Sequence, residues 1–151
     1  MPTATATIPR SLSLESLLGG GKVLRTRPRT ALDWVSVIRG GLSAAAIDSL
    51  IKTLALTQGE LAAALAIPER TLARRKKEGA LNSEESAKLV RLARVVERAE
   101  TVFEDLATAL AWLKSPNTAL GGATPLTLMD TEIGAEGVLD TLGRIEHGVF
   151  A

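Results

Sequence analysis

Few residues in this chain of 151 residues have side chains that could take part in catalysis. There is no cysteine, and the only histidine, His147, stands beside Glu146 near the end of the chain. Disulfides and thiolate chemistry are therefore excluded. A lone histidine near the end of a helix more often interacts with the last carbonyl groups than with a substrate. The acidic residues have the spacing of solvated helix faces, so we expect no enzyme, no cofactor and no metal site.

A glycine-rich turn, Leu-Gly-Gly-Ala-Thr-Pro at 120–125, has residues that could cradle a phosphate. It lacks the Lys-Ser/Thr pair that follows the glycines of a phosphate-binding P-loop, and the residues after it are acidic. A nucleotide site is therefore poorly supported. We expect a tight turn in which Gly121 and Gly122 adopt positive φ and Pro125 directs the chain into a helix. This turn would place the final helix across the helix before it.

The composition indicates a protein built from helices. Hydrophobic residues make up 46% of the chain, but aromatic residues make up only 3%, and no segment alternates as a half-buried strand does. The predicted fold class is all-α. No apolar run approaches the roughly 20 residues that a membrane-spanning helix needs. We expect a cytoplasmic protein with no membrane partner.

The apolar spacing predicts the positions of the main helices. Residues 1–29 are expected to form a flexible N-terminal segment, and a first helix covers Thr30 to Arg39 with Leu32, Val35 and Ile38 facing inward. A long helix from Glu84 to Lys114 forms a structural spine, because apolar residues that include Leu106 recur every three or four positions along it. The last helix begins after Thr131 and runs to about Glu146.

Residues 57–77 fit a helix-turn-helix within an N-terminal helical region at 30–80. Thr57 and Glu60 have the spacing of a capping box, which opens the first helix of the motif. The second helix ends at Gly79. The next helix is expected to be capped by Asn82 with Glu85, or by Ser83. The predicted apolar anchors of the motif are Leu61, Leu65, Ile67 and Leu72, and the small residue at the helix crossing is Ala62.

The second helix of the motif has an outward face suited to DNA. Arg70 and Arg74 lie one turn apart and could each bind a guanine edge with two hydrogen bonds. Ala66 stands where the turn usually has glycine, and Arg75 stands where an apolar anchor is usual, so an ordinary helical hairpin with a solvated basic face is the alternative. The residues expected to contact phosphate are Gln58, Thr71, Arg75, Lys76 and Lys77.

The charge is distributed unevenly along the chain. Residues 70–98 carry a net charge of +5, whereas residues 99–151 carry −6. A basic middle beside an acidic end favours two partners of opposite character.

The end of the chain carries a specific combination of short motifs. The stretch is WLKSPNTALGGATPLTLMDTEIGAEGVLDTLGRIEHGVFA at 112–151. It contains a Trp-Leu, a Pro-Asn, the Leu-Gly-Gly-x-x-Pro turn, an Asp-Thr-Glu-x-Gly helix start and a final Gly-Arg-Ile-Glu-His-Gly. This combination resembles the C-terminal domain of the MbcA/ParS/Xre family of antitoxins, and the resemblance covers approximately residues 40–151.

The resemblance implies a type II antitoxin that binds its cognate toxin, blocks it and represses its own operon. The usual partner has a RES domain and consumes or transfers from NAD, and homodimers are usual. Residues 81–151 would then be a helical toxin-binding domain whose final helix and tail cover the cleft of the toxin. The candidate toxin contacts are Glu132, Glu136, Asp140, Arg144, Glu146, His147, Val149, Phe150 and Ala151. The alternative for the apolar end with Phe150 is that it docks on the protein's own core.

Two other functions compete with an antitoxin. One is a stand-alone helix-turn-helix transcriptional regulator with a C-terminal dimerisation or effector domain. The other is an enzyme that uses the glycine turn for a nucleotide. A neighbouring reading frame for a RES-type toxin would favour the antitoxin over the regulator, whereas nucleotide binding by the isolated protein would favour the enzyme.

Overall fold

The computed structural model describes residues 13–148. This part of the chain is all-α, as the sequence predicts, and its one strand-like pairing is an isolated bridge between Ser43 and Ala80. Two 3-10 segments, Thr118–Leu120 and Pro125–Asp130, precede the last helix. The helices are α1 (Leu14–Leu17), α2 (Gly21–Leu24), α3 (Ala31–Gly40), α4 (Ala45–Leu54), α5 (Gln58–Leu65), α6 (Glu69–Glu78), α7 (Ser83–Phe103), α8 (Leu106–Leu113) and α9 (Glu132–Glu146).

Local capping sets where several helices begin. The capping boxes predicted at Thr57 with Glu60 and at Asn82 with Glu85 are both present, so α5 and α7 begin where the sequence places them. Thr131 accepts a hydrogen bond from the Gly134 amide and caps α9 as predicted. Each of these interactions spans only three residues, which is why the sequence reveals them.

The expectation of a flexible segment at residues 1–29 is wrong for residues 13–24, and residues 1–12 lie outside the described part. The short helices α1 and α2 occupy this stretch, and Leu17 and Leu18 are fully buried. The Leu14 amide donates to Glu97 Oε2 on α7 at 2.7 Å. The Ser49 hydroxyl donates to the Leu17 carbonyl at 3.0 Å. Long-range packing therefore orders this stretch, together with a local capping box between Ser13 and Ser16 at the start of α1.

The inward face predicted for α3 is also wrong in part. The side chain of Leu32 is 77% exposed and that of Val35 is exposed too, although Ile38 packs on the core as expected. Trp34 and Val37 take the inward positions instead. Both faces fit a helical period, and packing the larger Trp34 buries more apolar area than packing Leu32.

The long helix predicted from Glu84 to Lys114 is broken in two. Glu104 adopts the left-handed conformation, with φ of 59° and ψ of 21°, and ends α7. Asp105 then caps α8, because its carboxylate accepts from the Thr108 amide at 2.8 Å. The rings of Phe103 and Trp112 lie 5.7 Å apart, whereas residues nine apart in an unbroken helix are separated by about 13.5 Å along the axis. The chain therefore folds back, and α8 packs on α7.

The core is organised around α7, which contacts α1, α3, α5, α8 and α9. The packing of the last helix on the long one is therefore as predicted. Leu106 is not a core residue, because the chain break turns it to a half-buried position at the start of α8. Leu113 and Ala109 fill that part of the core instead.

Candidate functional surfaces

The helix-turn-helix is formed by α5 and α6. The predicted anchors Leu61, Leu65, Ile67 and Leu72 are all buried, as is Ala62 at the helix crossing. The turn runs through Ala66 in the left-handed conformation, with φ of 55° and ψ of 42°. Alanine therefore adopts the conformation for which glycine is usual, at a cost of about 1–2 kcal/mol. The presence of alanine instead of glycine at position 66 therefore leaves the geometry of the turn intact.

The outward side of α6 carries a recognition face, which we define as Arg70, Arg74 and Lys77. All three side chains are exposed. Arg74 is 57% exposed and approaches Glu78 only at 3.8 Å, so its guanidinium is available to a ligand. Thr71, also predicted to contact phosphate, is half-buried at the edge of this face. Three neighbouring cations on one helix form a surface suited to the major groove of DNA.

Arg75 makes contacts within the protein, and the phosphate contact expected at this residue stays a prediction. Its Nε donates to Glu85 Oε1 at 2.8 Å and its Nη1 donates to Glu78 Oε1 at 2.9 Å. The side chain is 21% exposed and links α6 to the beginning of α7. Burial acts most strongly on the pKa of Glu85 and raises it, but hydrogen bonds from the Asn82 amide and from Arg75 more than offset this and lower the pKa. An ionic contact thus replaces the usual apolar anchor.

Two other predicted phosphate contacts are engaged with each other. The Lys76 ammonium donates to Gln58 Oε1 at 3.1 Å and pairs with Asp48 at 2.9 Å. Exposed pairs of this kind are weak, so Lys76 and Gln58 can give up these contacts and bind a phosphate instead. Gln58 and Lys76 stay predictions as DNA contacts.

The acidic face of α9, defined as Glu132, Glu136 and Asp140, lies on the side of the helix away from the core. Its members recur every fourth residue and are all exposed. Arg144 continues the row and is exposed, as is His147 after the helix. Val149, Phe150 and Ala151 lie outside the described residues.

Glu146, at the end of α9, is exposed and is also paired with a residue of α7. Its carboxylate forms a bidentate pair with the guanidinium of Arg98 on α7, in which Nη2 donates to Oε1 and Nη1 to Oε2. The hydrogen bonds from Arg98 lower the pKa of Glu146. The pair attaches the C-terminal end of α9 to α7, and the toxin contact expected at Glu146 stays a prediction.

Ile133 is a candidate contact that the sequence interpretation missed. Its side chain is 83% exposed beside the acidic face. Ile133, Glu136 and Asp140 are spaced by three and four residues, so a helical projection of the sequence would have shown them on one side. An apolar side chain surrounded by charges resembles the centre of a protein interface, where a polar rim encloses an apolar anchor.

The glycine turn has the structural role predicted for it. Gly121 and Gly122 have φ of 70° and 87°. Their amides donate to the carbonyls of Thr118 and Asn117 at 3.1 and 2.8 Å, so the turn satisfies its own donors. In residues 13–148, no cluster of three or more His, Asp or Glu residues could hold a metal ion. No helix in the same range is both long enough and apolar enough to cross a bilayer.

The fold and these two surfaces define a protein with a helix-turn-helix and a separate helical interaction domain. Residues 33–94 match the family model described as the antitoxin Xre-like helix-turn-helix domain. Residues 98–148 match the model described as the antitoxin Xre/MbcA/ParS C-terminal toxin-binding domain. The chain belongs to the Xre/MbcA/ParS family of antitoxins.

Individual relatives agree with this assignment. The chain is 38% identical over 119 residues to an "Antitoxin Xre" of Yersinia enterocolitica, and the matched residues make up 78% of this chain and 80% of the relative. It is 28% identical over 130 residues to the "Prs ADP-ribosylating antitoxin" of a Sphingobium species, covering 80% and 82%. The crystal structure of the M. tuberculosis MbcT-MbcA toxin-antitoxin complex contains a chain that matches with a TM-score of 0.54 and 25% identity, over 72% of this chain and 96% of that one.

Proposed function

We propose that this antitoxin acts in the cytoplasm, binds a RES-domain toxin by covering its active site with α9 and the C-terminal tail, and represses its own operon through α6. The observation that carries the proposal is the separation of two exposed surfaces of opposite charge, the recognition face and the acidic face. A single surface could not hold DNA and a protein at the same time. Two surfaces on different helices allow both to be bound.

The acidic face is suited to a toxin that binds NAD. A cleft for the phosphates of NAD needs basic groups, and Glu132, Glu136 and Asp140 would complement them electrostatically. Ile133 would supply the apolar anchor of the contact, and Arg144 would pair with an acidic residue of the toxin. One relative is named the "Prs ADP-ribosylating antitoxin", and ADP-ribosylation is a reaction that uses NAD.

The toxin contact is tested by co-expressing this chain with the product of the adjacent reading frame, isolating the complex and measuring NAD consumption by the toxin. We expect Glu136→Lys to weaken the complex and release toxin activity. Glu104→Lys is the matched control, because Glu104 is exposed on the same domain but outside the acidic face. Ile133→Ala should weaken binding without changing charge. A complex equally stable in both Glu136→Lys and Ile133→Ala would contradict the proposed interface.

The role of the tail is tested by a truncation that spares the fold. Removing residues 144–151 would also remove Glu146, which holds α9 to α7 through Arg98. Removing only residues 149–151 leaves that pair in place. We expect this shorter truncation to release toxin activity and to leave operator binding unchanged. Full neutralisation of the toxin at the same protein ratio would show that the tail does not inhibit.

DNA binding is tested with the duplex upstream of the chain's own gene. Because a bidentate arginine–guanine pair contributes about 1–3 kcal/mol, Arg70→Ala with Arg74→Ala should weaken operator binding tenfold or more. Arg144→Ala removes one exposed arginine from the other domain and serves as the control. Unchanged operator affinity in the double variant would refute the assignment of the recognition face.

We also propose that the protein is a homodimer. The exposed apolar side chains of Leu32 and Val35 on α3 would be covered by the same surface of a second copy, and two helix-turn-helix motifs would read two half-sites. Leu32→Glu is expected to halve the mass measured by light scattering. A monomeric parent protein would contradict the proposal.

A further inference from the structure

A short basic segment connects α2 to α3, and we call residues 25–29, Arg-Thr-Arg-Pro-Arg, the basic strap. Both of its ends are held in place. Leu24, just before it, is buried in the core. At the other end, the amides of Arg29 and Thr30 donate to Asp33 Oδ2 at 2.8 and 3.1 Å. The strap is thus ordered before any ligand binds, which reduces the entropy that binding would cost.

The basic strap lies beside the C-terminal end of the recognition helix. It lines a cleft of about 550 Å³ together with the start of the α3–α4 connection and with Gly79 and Ala80, which follow α6. The walls of this cleft are joined by backbone hydrogen bonds, from the Ala44 amide to the Gly79 carbonyl and from the Leu81 amide to the Leu42 carbonyl, both at 2.9 Å. The position of the strap relative to α6 is therefore fixed by the fold.

The cations of the strap are available to a ligand. Arg25 and Arg27 are exposed, and within residues 13–148 neither forms one of the ion pairs found at 4.0 Å or less. The carboxylate of Asp33, which also lines the cleft, accepts from the two backbone amides that it caps. Arg25 and Arg27 line the same cleft as Gly79, which follows Lys77 by two residues at the end of α6.

The backbone at Arg25 adds a separate observation. Arg25 ends α2 in the left-handed conformation, with φ of 64° and ψ of −10°. Glycine adopts this conformation without strain, and a non-glycine residue there costs folding free energy. The chain thus accepts a strained arginine at a position where glycine would fold more easily. A strained residue of this kind is found more often at functional sites than elsewhere.

We propose that the basic strap binds the phosphodiester backbone of duplex DNA next to the groove that α6 occupies. This inference rests on the proposed DNA binding by the helix-turn-helix and adds a second element to it. Arginine contacts to phosphate hold a protein in register on the duplex but carry no sequence information. The strap therefore contributes affinity for any duplex, whereas Arg70 and Arg74 distinguish the operator from other sequences.

The test measures binding of the full chain to its operator duplex and to a random duplex by fluorescence anisotropy, over about 50–200 mM salt. Arg25→Gly with Arg27→Ala should reduce the slope of log K against log salt by roughly 2, about 1 for each lost phosphate contact. The affinities for the two duplexes should fall by the same factor. Arg94→Ala, at an exposed arginine of α7 outside the strap and the recognition face, is the matched control and should keep the parental slope.

Arg25→Gly alone separates binding from folding. The substitution relieves the left-handed backbone, so the variant should melt at a higher temperature than the parent and still bind DNA more weakly. A merely structural role for Arg25 would not produce these opposite changes. A parental salt slope in the double variant would overturn the inference.

The outcomes also distinguish this inference from the proposed function. If Arg70→Ala with Arg74→Ala abolishes the preference for the operator while the strap variants keep the parental slope, the strap inference is wrong and DNA binding stands. If all of these variants bind as the parent does, both are wrong. If the strap variants lose toxin binding instead of DNA affinity, the strap binds an acidic protein surface and the inference is overturned.

Discussion

Replacing Gly134 with alanine is expected to destabilise the protein, although alanine is the better helix former. Gly134 is the third residue of α9, where the helix begins against the 3-10 segment Pro125–Asp130. An added Cβ would lie well inside contact distance of the Leu128 carbonyl oxygen and 3.0 Å from Thr131 Oγ1. The clash is with backbone, which cannot rotate away, so α9 must move.

The size of the effect follows from three contributions. Overpacking of this kind costs about 1–3 kcal/mol. Moving α9 also weakens the cap in which the Gly134 amide donates to Thr131 Oγ1 at 2.9 Å, which contributes about 1 kcal/mol. Alanine recovers about 1 kcal/mol through helix propensity. We expect a net loss of about 1–3 kcal/mol, or a fall of several degrees in melting temperature.

Gly137 provides the matched control. It lies three residues further along the same helix, and an added Cβ there meets nothing within 4 Å. Gly137→Ala should therefore stabilise by about 0.5–1 kcal/mol. Both variants are measured by thermal melting of the circular dichroism signal at the helix band, and Gly134→Ala should also weaken toxin binding because it shifts the acidic face. If both substitutions stabilise alike, the close approach of α9 to Leu128 does not occur in solution.

Three further predictions concern the helix-turn-helix and the core. Ala66→Gly should stabilise the protein by about 1 kcal/mol in thermal melts, because glycine relieves the left-handed turn. The control Ala63→Gly, in the exposed interior of α5, should destabilise it by a similar amount. Changes of the same sign and size in the two variants would contradict the left-handed turn at Ala66. Leu113→Ala should cost about 2–5 kcal/mol in urea unfolding, and a parental midpoint would show that α8 is not docked. The pKa of Glu85 is lowered in the folded state from 4.5, so the stability that the ionised carboxylate contributes is present above that pH and is lost on acidification. Glu85→Gln should therefore lose less stability than the parent as the pH falls below about 4.5. Identical profiles of stability against pH for the two proteins would contradict this prediction.

Much of the fold could be predicted because its signals are local. The capping boxes at Thr57 and Asn82 and the glycine turn each depend on interactions among a few neighbouring residues, and the sequence shows them directly. The outward position of Arg70 and Arg74 follows equally from the helical period once the anchors of the motif are recognised. The division of the chain at residues 80 and 81 stays a prediction, as do the individual toxin contacts.

The sequence by itself therefore determined the fold class, the beginnings of the main helices, the helix-turn-helix and the family, because each depends on local hydrogen bonds, periodicity or a motif. The tertiary structure decided what depends on distant partners. The apolar repeat continues through Glu104 without interruption, so only the packing of Phe103 on Trp112 reveals the break. Likewise, Arg75 and Glu146 form ion pairs within the chain. The sequence does not reveal these pairs, because their partners come close only when the helices pack.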